Sequence, residues 1–198
     1  MPKLQITALR CHDLGPFEFT VQTGERMVIS GPSGAGKSLL LRAIADLDPH
    51  QGDIYLDDKA CRTFTPTAWR KTVGLLPAES QWWYETVEEH FTHVEPAWFV
   101  KLGFDLAILK RHINGLSTGE RQRLALLRLL ANKPSVLLLD EISANLDNEN
   151  AERMEELIQF YQQQQQAAII WISHSKQQIA RIATQHFTLT NGLLTQIK

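Results

Sequence analysis

Apolar and polar positions along this chain fall into short blocks whose spacing switches between a period of two and one of about 3.6 residues. Alternating or short apolar runs at residues 4–9, 17–22 and Arg26–Ser30 predict strands. A further short strand is expected at 53–57, entered after the turn residue Gly52, and another at Val73–Leu76. A polar and aromatic stretch at 79–84 follows, then three predicted short helices at 86–94, Pro96–Lys101 and 105–113. A long helix is predicted from 118 to 131, stopped before Pro134 because the residue preceding a proline disfavours the α region. Two continuous apolar strands, 136–139 and Ala168–Ile172, flank a helix over 148–161. Strands that alternate with helices and are apolar throughout point to an α/β fold with a mainly parallel sheet covered on both faces. The first strands, joined by short turns, are expected to be antiparallel. The glutamine run 162–166 reads as a solvated helix end or linker, and no internal repeat is visible.

Composition narrows the class. A chain of 198 residues with 43% hydrophobic and 21% charged residues is expected to form a single soluble globular domain over 1–198. A net charge of -2 supplies no field that would draw nucleic acid. Cys11 and Cys61 are too few for a disulfide framework and read as packed or partly exposed thiols of a reducing compartment. The start Met1-Pro2-Lys3-Leu4-Gln5 lacks the basic-then-apolar pattern of a leader, so none is expected. The longest apolar stretches, near 136–139 and 167–172, are far below the ~20 residues that cross a bilayer. Membrane association would therefore have to come through a partner.

The chemistry starts at Gly31-Pro32-Ser33-Gly34-Ala35-Gly36-Lys37-Ser38, between the apolar run Met27-Val28-Ile29 and Leu39-Leu40-Leu41. This is a phosphate-binding loop in the strand–loop–helix context it requires. Its glycines let backbone N–H groups turn inward around a polyphosphate, and the helix aims its positive end at the same anion. Lys37 supplies a charge for the β- and γ-phosphates and Ser38 an oxygen for Mg²⁺. The pattern implies a bound nucleoside triphosphate.

A second anchor is Leu116-Ser117-Thr118-Gly119-Glu120-Arg121-Gln122. Ser117 can cap the helix and Glu120, three residues on, can complete a capping box. A bare capping box does not require Gly119 in the first turn, where glycine costs roughly 1 kcal/mol relative to alanine. N–H groups unshielded by a Cβ there can receive an external phosphate. Here the chain resembles the ATP-binding cassette family, whose signature is Leu-Ser-Gly-Gly-Gln followed by a basic residue. Thr118 stands for the first glycine and Glu120 for the glutamine. The resemblance runs from the first strand to beyond Ile179 and implies that Ser117, Thr118, Gly119 and Glu120 cover a nucleotide held by another subunit.

The same resemblance assigns other residues. The strand Val136-Leu137-Leu138-Leu139 ends in Asp140 and Glu141, which point to opposite faces and can serve different tasks. Asp140 resembles the carboxylate on the Mg²⁺ side, acting with Ser38. Glu141 resembles the group that orients or deprotonates the attacking water. Ser143-Ala144-Asn145-Leu146-Asp147 is similar to the D-loop that crosses the dimer interface, while Asp147 is also a good N-cap for the next helix. His174, after Ile170-Trp171-Ile172-Ser173, matches the switch histidine that hydrogen-bonds the γ-phosphate.

Three features depart from the pattern. Ala78 stands where the family has a glutamine touching the metal and the attacking water, so that contact is missing or comes from Glu79 or Gln81. Hydrolysis is then expected to be slowed and coupled differently. The aromatic residue that stacks on adenine has only His12 as a ring candidate, with Phe17 as a fallback. The helical segment from 78 to 113 is short and crowded with Trp82, Trp83, Tyr84, Phe91, Trp98 and Phe99. These fill a small helical core, or else Trp82, Trp83 or Tyr84 line a groove for a partner's short cytoplasmic helix. His90 and His93, three apart, lack a third metal ligand and read as surface residues.

The resemblance implies a P-loop NTPase with flanking helices, an N-terminal antiparallel β subdomain and a helical subdomain at about 79–133. It implies ATP and Mg²⁺ as cofactors. Two copies, or this chain and another such ATPase subunit, would close on ATP and energise a separate integral membrane transporter subunit. The chain would then be cytoplasmic, peripheral on the membrane through that partner, in a small exporter or accessory system rather than a large importer. The rival is a soluble cassette ATPase acting on nucleic acid or the ribosome. A single cassette without basic arms argues against it, and no nucleic acid is expected. A nonhydrolytic scaffold is disfavoured because Lys37, Ser38, Asp140, Glu141 and His174 are all present.

Overall fold

The continuous apolar runs become the innermost strands of a computed structural model that describes residues 4–144 and 146–197. Residues 1–3, which bear on the leader expectation, and Asn145 of the loop resembling the D-loop lie outside the described residues. The chain opens with strands β1 (Leu4–Cys11), β2 (Leu14–Val21) and β3 (Arg26–Ser30), then helix α1 (Lys37–Ile44). Strands β4 (Gln51–Leu56) and β5 (Lys59–Ala60), helix α2 (Pro66–Thr72) and β6 (Val73–Leu76) follow. Helices α3 (Pro96–Lys101) and α4 (Thr118–Leu130) lead to β7 (Val136–Asp140), α5 (Asn148–Gln165) and β8 (Ala168–Ile172). Helix α6 (Lys176–Ile182) and strands β9 (Gln185–Thr190) and β10 (Leu193–Ile197) complete the described chain.

Two sheets form. One is antiparallel, in the order β2-β1-β4-β5; the other runs β10-β9-β3-β8-β7-β6. Strands β9, β3, β8, β7 and β6 are parallel, and β10 turns back antiparallel to β9. Every residue of β7 and β8 is buried. Their period of two divides them between two cores. Leu137, Leu139, Ile169 and Trp171 pack with α4, α5 and the segment around Phe99. Val136, Leu138, Ile170 and Ile172 pack with α1, Trp69 and the antiparallel sheet. Burial on this scale stabilises each large side chain by roughly 1.5–3 kcal/mol, which is why both faces had to be apolar.

Helix ends follow local chemistry. Ser117 and Glu120 form the predicted capping box, and α4 stops four residues before Pro134. Asp147 accepts from the Asn150 N–H and starts α5. That helix runs past the predicted end at 161 to Gln165, with Gln166 in a left-handed conformation at φ 54. The glutamine run is therefore a helix turn, and its first member is not solvated. Gln162 is buried, and its amide donates to the Glu25 and Ala167 carbonyls.

Two predicted helices are absent. In place of a helix at 86–94 there is one 3-10 turn at Glu88–His90. The His90 ring explains the loss: Nδ1 donates to the Thr86 carbonyl at 2.9 Å, which a regular helix would reserve for the His90 N–H. Nε2 accepts from the Trp83 and Tyr84 N–H groups, each at 3.0 Å. His90 is thus buried, not a surface residue, and it folds the loop before it. At 105–113 the chain forms 3-10 segments at Leu106–Lys110 and Ile113–Gly115, because His112 pairs with Thr86 in an antiparallel bridge. Elements beyond the predicted set are β5, α2, α6, β9 and β10. In α2 the one buried side chain is Trp69, too sparse a signal to set a period.

Two outcomes follow for stability. Trp69 is fully buried, donates its indole N–H to the Ile44 carbonyl at 3.0 Å and meets Phe64 edge-on. Trp69→Ala should cost about 3–5 kcal/mol, read from the urea midpoint. His90 is held below the ordinary imidazole pKa by burial first, and also by the nearby Arg128, against opposing pulls from Thr86 and Glu89. Its contribution should be present above about pH 6.5 and lost as pH falls through the lowered folded value. The stability gap between the wild type and His90→Ala should therefore narrow between pH 7.5 and pH 5; a constant gap would contradict this.

Candidate active site

Strand order brings the candidate residues together. The exits of β3, β8 and β7 are adjacent at the carboxyl edge of the parallel sheet, where open α/β sheets place ligands. After β3 the chain enters residues 31–38. Gly31, at φ 142, would put a Cβ 2.3 Å from the Leu189 carbonyl oxygen. Gly36, at φ 91, precedes α1, and a Cβ there would lie 2.1 Å from Leu14 Cδ1. Both positions need glycine, so the loop backbone lies tight against its neighbours, and the Ala35 N–H closes a turn on the Pro32 carbonyl at 3.2 Å. Ser33, Gly34, Gly36, Lys37, Ser38 and Glu141 line a cavity of about 270 Å³.

Lys37 is buried, and its Nζ donates to the carbonyls of Gly31 at 3.0 Å and Pro32 at 2.9 Å. Burial lowers its pKa, against the opposing charges of Glu141 and Asp140. Asp140 closes β7 as a buried carboxylate. Burial raises its pKa, the Ser38 hydroxyl that donates to it lowers it, and Glu141 and Lys37 act in opposite senses. A buried carboxylate beside a hydroxyl is a hard-oxygen donor pair that fits Mg²⁺.

Glu141 departs from the strand at φ 48, a left-handed conformation that costs a non-glycine residue roughly 1–2 kcal/mol. Its N–H still donates to the Ile172 carbonyl at 3.2 Å, so the turn begins while β7 is tied to β8. The turn sends the carboxylate toward the exit of β8, where His174 Nε2 lies 2.7 Å from Glu141 Oε1. A carboxylate only accepts, so Nε2 carries the proton in this pair. Both side chains are partly exposed, at 41% for His174 and 32% for Glu141.

Other predicted residues lie apart from this cluster. Ser117 Oγ accepts from the Glu120 N–H at 3.1 Å, and Glu120 Oε2 accepts from the Ser117 N–H at 2.8 Å. Arg111 engages the other Glu120 oxygen at 2.8 Å, so that carboxylate is committed within the chain. Among the described residues no hydrogen bond or ion pair joins this helix start, with Thr118 and Gly119, to the phosphate loop. Gly119 instead abuts Leu146 of the loop after β7. Asp147 caps α5, and Ser143 points to the side chain of Gln178. Ala78 is exposed, and the Pro77 carbonyl before it accepts from the buried Gln122 amide at 2.8 Å. Phe17 is 1% exposed in the core, which removes it as a platform for a base; His12 is exposed.

Sequence reasoning missed a polar cluster behind Glu141 and His174. Gln178, Glu155 and Arg181 line a second cavity of about 480 Å³ that Glu141, Ser143 and His174 also border. The available signal was Gln178 standing four residues before Ile182, a polar residue on the buried face of α6.

Similarity to known proteins places the chain in a family. A family model described as ABC transporter matches residues 14–144. The chain is 33% identical to the probable iron export ATP-binding protein FetA of Escherichia coli K12, over 84% of this chain and 80% of that one. It is also 33% identical to the thiamine import ATP-binding protein ThiQ of the same strain, over 94% and 86%. The putative ABC transporter ATP-binding protein YjkB of Bacillus subtilis 168 shows 33% identity over 89% and 75%. In fold, the chain superposes with a TM-score of 0.85 and 22% identity on a bacterial Atm1-family ABC exporter solved with ATP bound. The match covers 98% of this chain and 39% of the exporter chain. Matched by that family model over most of its length and by relatives at 33% identity, the chain belongs to the ABC transporter family, as an ATP-binding and ATP-hydrolysing subunit.

Proposed function

We propose that the cavity between residues 31–38 and Glu141 holds the triphosphate of ATP, and that Glu141 and His174 act together on its terminal phosphate. The observation that carries this reading is the 2.7 Å contact between His174 and Glu141, beside a cavity lined by both the phosphate loop and Glu141. Lys37 would exchange its loop carbonyls for the β- and γ-phosphate oxygens. Glu141 would accept a proton from, or orient, the attacking water. His174 would share its one Nε2 hydrogen between that carboxylate and a γ-phosphate oxygen, holding the two in place. Ser38 and Asp140 would hold Mg²⁺, which when bound neutralises charge on the phosphate oxygens.

The phosphate cavity opens on one side, and the signature helix start of the same chain has no bonded link to it. A second subunit, identical or related, would therefore bring Ser117, Thr118 and Gly119 over the nucleotide, with Ser143 and Asp147 near the seam. The Glu120 carboxylate, already engaged by Arg111 and the helix start, would shape that surface rather than touch the nucleotide. No helix among the described residues is long and apolar enough to cross a membrane. The transport path would then lie in a separate membrane subunit, with this chain peripheral on the cytoplasmic face. Trp83 and Tyr84, 63% and 52% exposed in the segment we take as the helical subdomain, about 79–133, offer aromatic anchors for it. The soluble nucleic-acid alternative is not favoured: the relatives FetA and ThiQ are named for iron export and thiamine import.

Lys37→Ala should abolish binding of a fluorescent ATP analogue. Glu141→Gln should keep binding, lower turnover by about 10²–10⁴-fold and accumulate an ATP-dependent dimer in light scattering. A Glu141→Gln chain that stays monomeric at saturating ATP would rule out the shared site. Ala78→Gln should raise turnover and shift its Mg²⁺ dependence, since a methyl group offers water and metal no polar contact. Unchanged rate and metal dependence would show that Ala78 is without consequence.

A further inference from the structure

The hydrogen bonds of the β7–β8 ladder end at the Asp140–Ile172 pair and the Glu141 N–H. Beyond that point two loops diverge, yet the side chains of Glu141 and His174 must meet between them. Glu141 does so from a left-handed backbone, a conformation that persists only where surrounding structure over-determines it. The buried Gln178 side chain of α6 supplies such a constraint. Its Oε1 accepts from Ser173 Oγ at 2.6 Å, one residue before His174. Its Nε2 donates to Ser143 Oγ at 2.9 Å, two residues after Glu141. The second Nε2 hydrogen goes to Glu155 Oε1 of α5 at 2.8 Å. Glu155 is in turn gripped by Arg181, Nε to Oε2 at 3.1 Å and Nη2 to Oε1 at 2.9 Å.

We propose that Gln178 is a positioning residue for ATP hydrolysis, an amide staple that holds the exits of β7 and β8 in the register where His174 grips Glu141. The inference rests on the roles given above to those two residues. Gln178 faces neither the phosphate loop nor the nucleotide cavity, so it acts through its partners. Both of its donors and its acceptor are satisfied, each on a different element, and among the described residues no other side chain is hydrogen-bonded to both Ser143 and Ser173. The Arg181–Glu155 pair anchors the staple to α5 and α6, whose caps, Asp147 and Ser175, lie in the same two loops.

The test separates chemistry from binding and folding by expressing kcat per nucleotide-binding site. Gln178→Leu, of similar volume but without polar atoms, should lower kcat roughly tenfold to a hundredfold, as a small misplacement of a reacting group does. KM and nucleotide affinity should stay within about threefold, because binding is made by the phosphate loop. Ser143→Ala, a half-buried and fold-sparing change, should lower kcat in the same sense and decides the matter should Gln178→Leu not fold. The exchange pair Gln178→Glu with Glu155→Gln keeps the links to the two loops: the new carboxylate accepts from both serines, and the new amide donates to it while its one oxygen accepts from Arg181 Nε, giving up the Nη2 bond. The pair should recover most of the kcat that Gln178→Glu alone loses. Unchanged kcat in Gln178→Leu or Ser143→Ala, or a rise in KM alone, or no recovery in the exchange pair, would overturn the proposal. Glu141→Gln run alongside keeps the two failures distinct, since full turnover in that variant would remove the underlying reading whatever Gln178 does.

Discussion

Adjacency of β3, β8 and β7 in one parallel ladder is the constraint on which the rest of the molecule depends. Parallel strands share a direction, so three separate stretches of sequence deliver their last residues to the same edge. The phosphate loop, Ser173–His174 and Asp140–Glu141 are more than a hundred residues apart at their extremes and meet only through this ladder. The strands could not tolerate a polar face, because helices cover one side and the antiparallel sheet and α1 cover the other. Polar chemistry is consequently confined to the strand ends. Asp140 marks the boundary: it is still a ladder residue, buried, with Ser38 as its hydroxyl partner.

Beyond the ladder, polar side chains take over the work of fixing the backbone. His90 holds the turn at 83–86, Gln122 ties Pro77 to α4, Gln162 ties α5 to Glu25, and Gln178 joins three elements. Each is buried, and each gives at least one polar atom a hydrogen-bond partner on another segment, which lowers the cost of placing a polar side chain in the interior. The neutral amide suits this task better than a carboxylate. It donates and accepts at once and adds no charge beside Asp140, Glu141 and Glu155.

What was legible in the sequence was what local chemistry decides. The phosphate loop, β7, β8 and the start of α4 were all readable, because apolar runs, glycine spacing and a capping box act within a few residues. The helices expected at 86–94 and 105–113 failed because the deciding contacts are not local. The His90 ring takes the Thr86 carbonyl, and His112 pairs with Thr86 across 25 intervening positions. Phe17 looked like a fallback partner for a base and proved to be core, since β2 turns that face inward. The Gln178 cluster was invisible for the same reason: Ser143, Glu155 and Gln178 lie on separate elements that only the sheet order brings side by side.

The aromatic turn around His90 has an optical consequence. Trp69 and Trp171 are fully buried in rigid cores, so their emission should vary little with what happens at the surface. Trp83 is mostly exposed, lies 5.0 Å from the His90 ring and 4.7 Å from the Arg128 guanidinium, and sits on a turn held by two hydrogen bonds to one imidazole. Its indole is therefore a native fluorophore at the surface proposed above to meet a membrane subunit. Its emission wavelength would follow the wetting of that surface, so docking could be watched in the unlabelled chain.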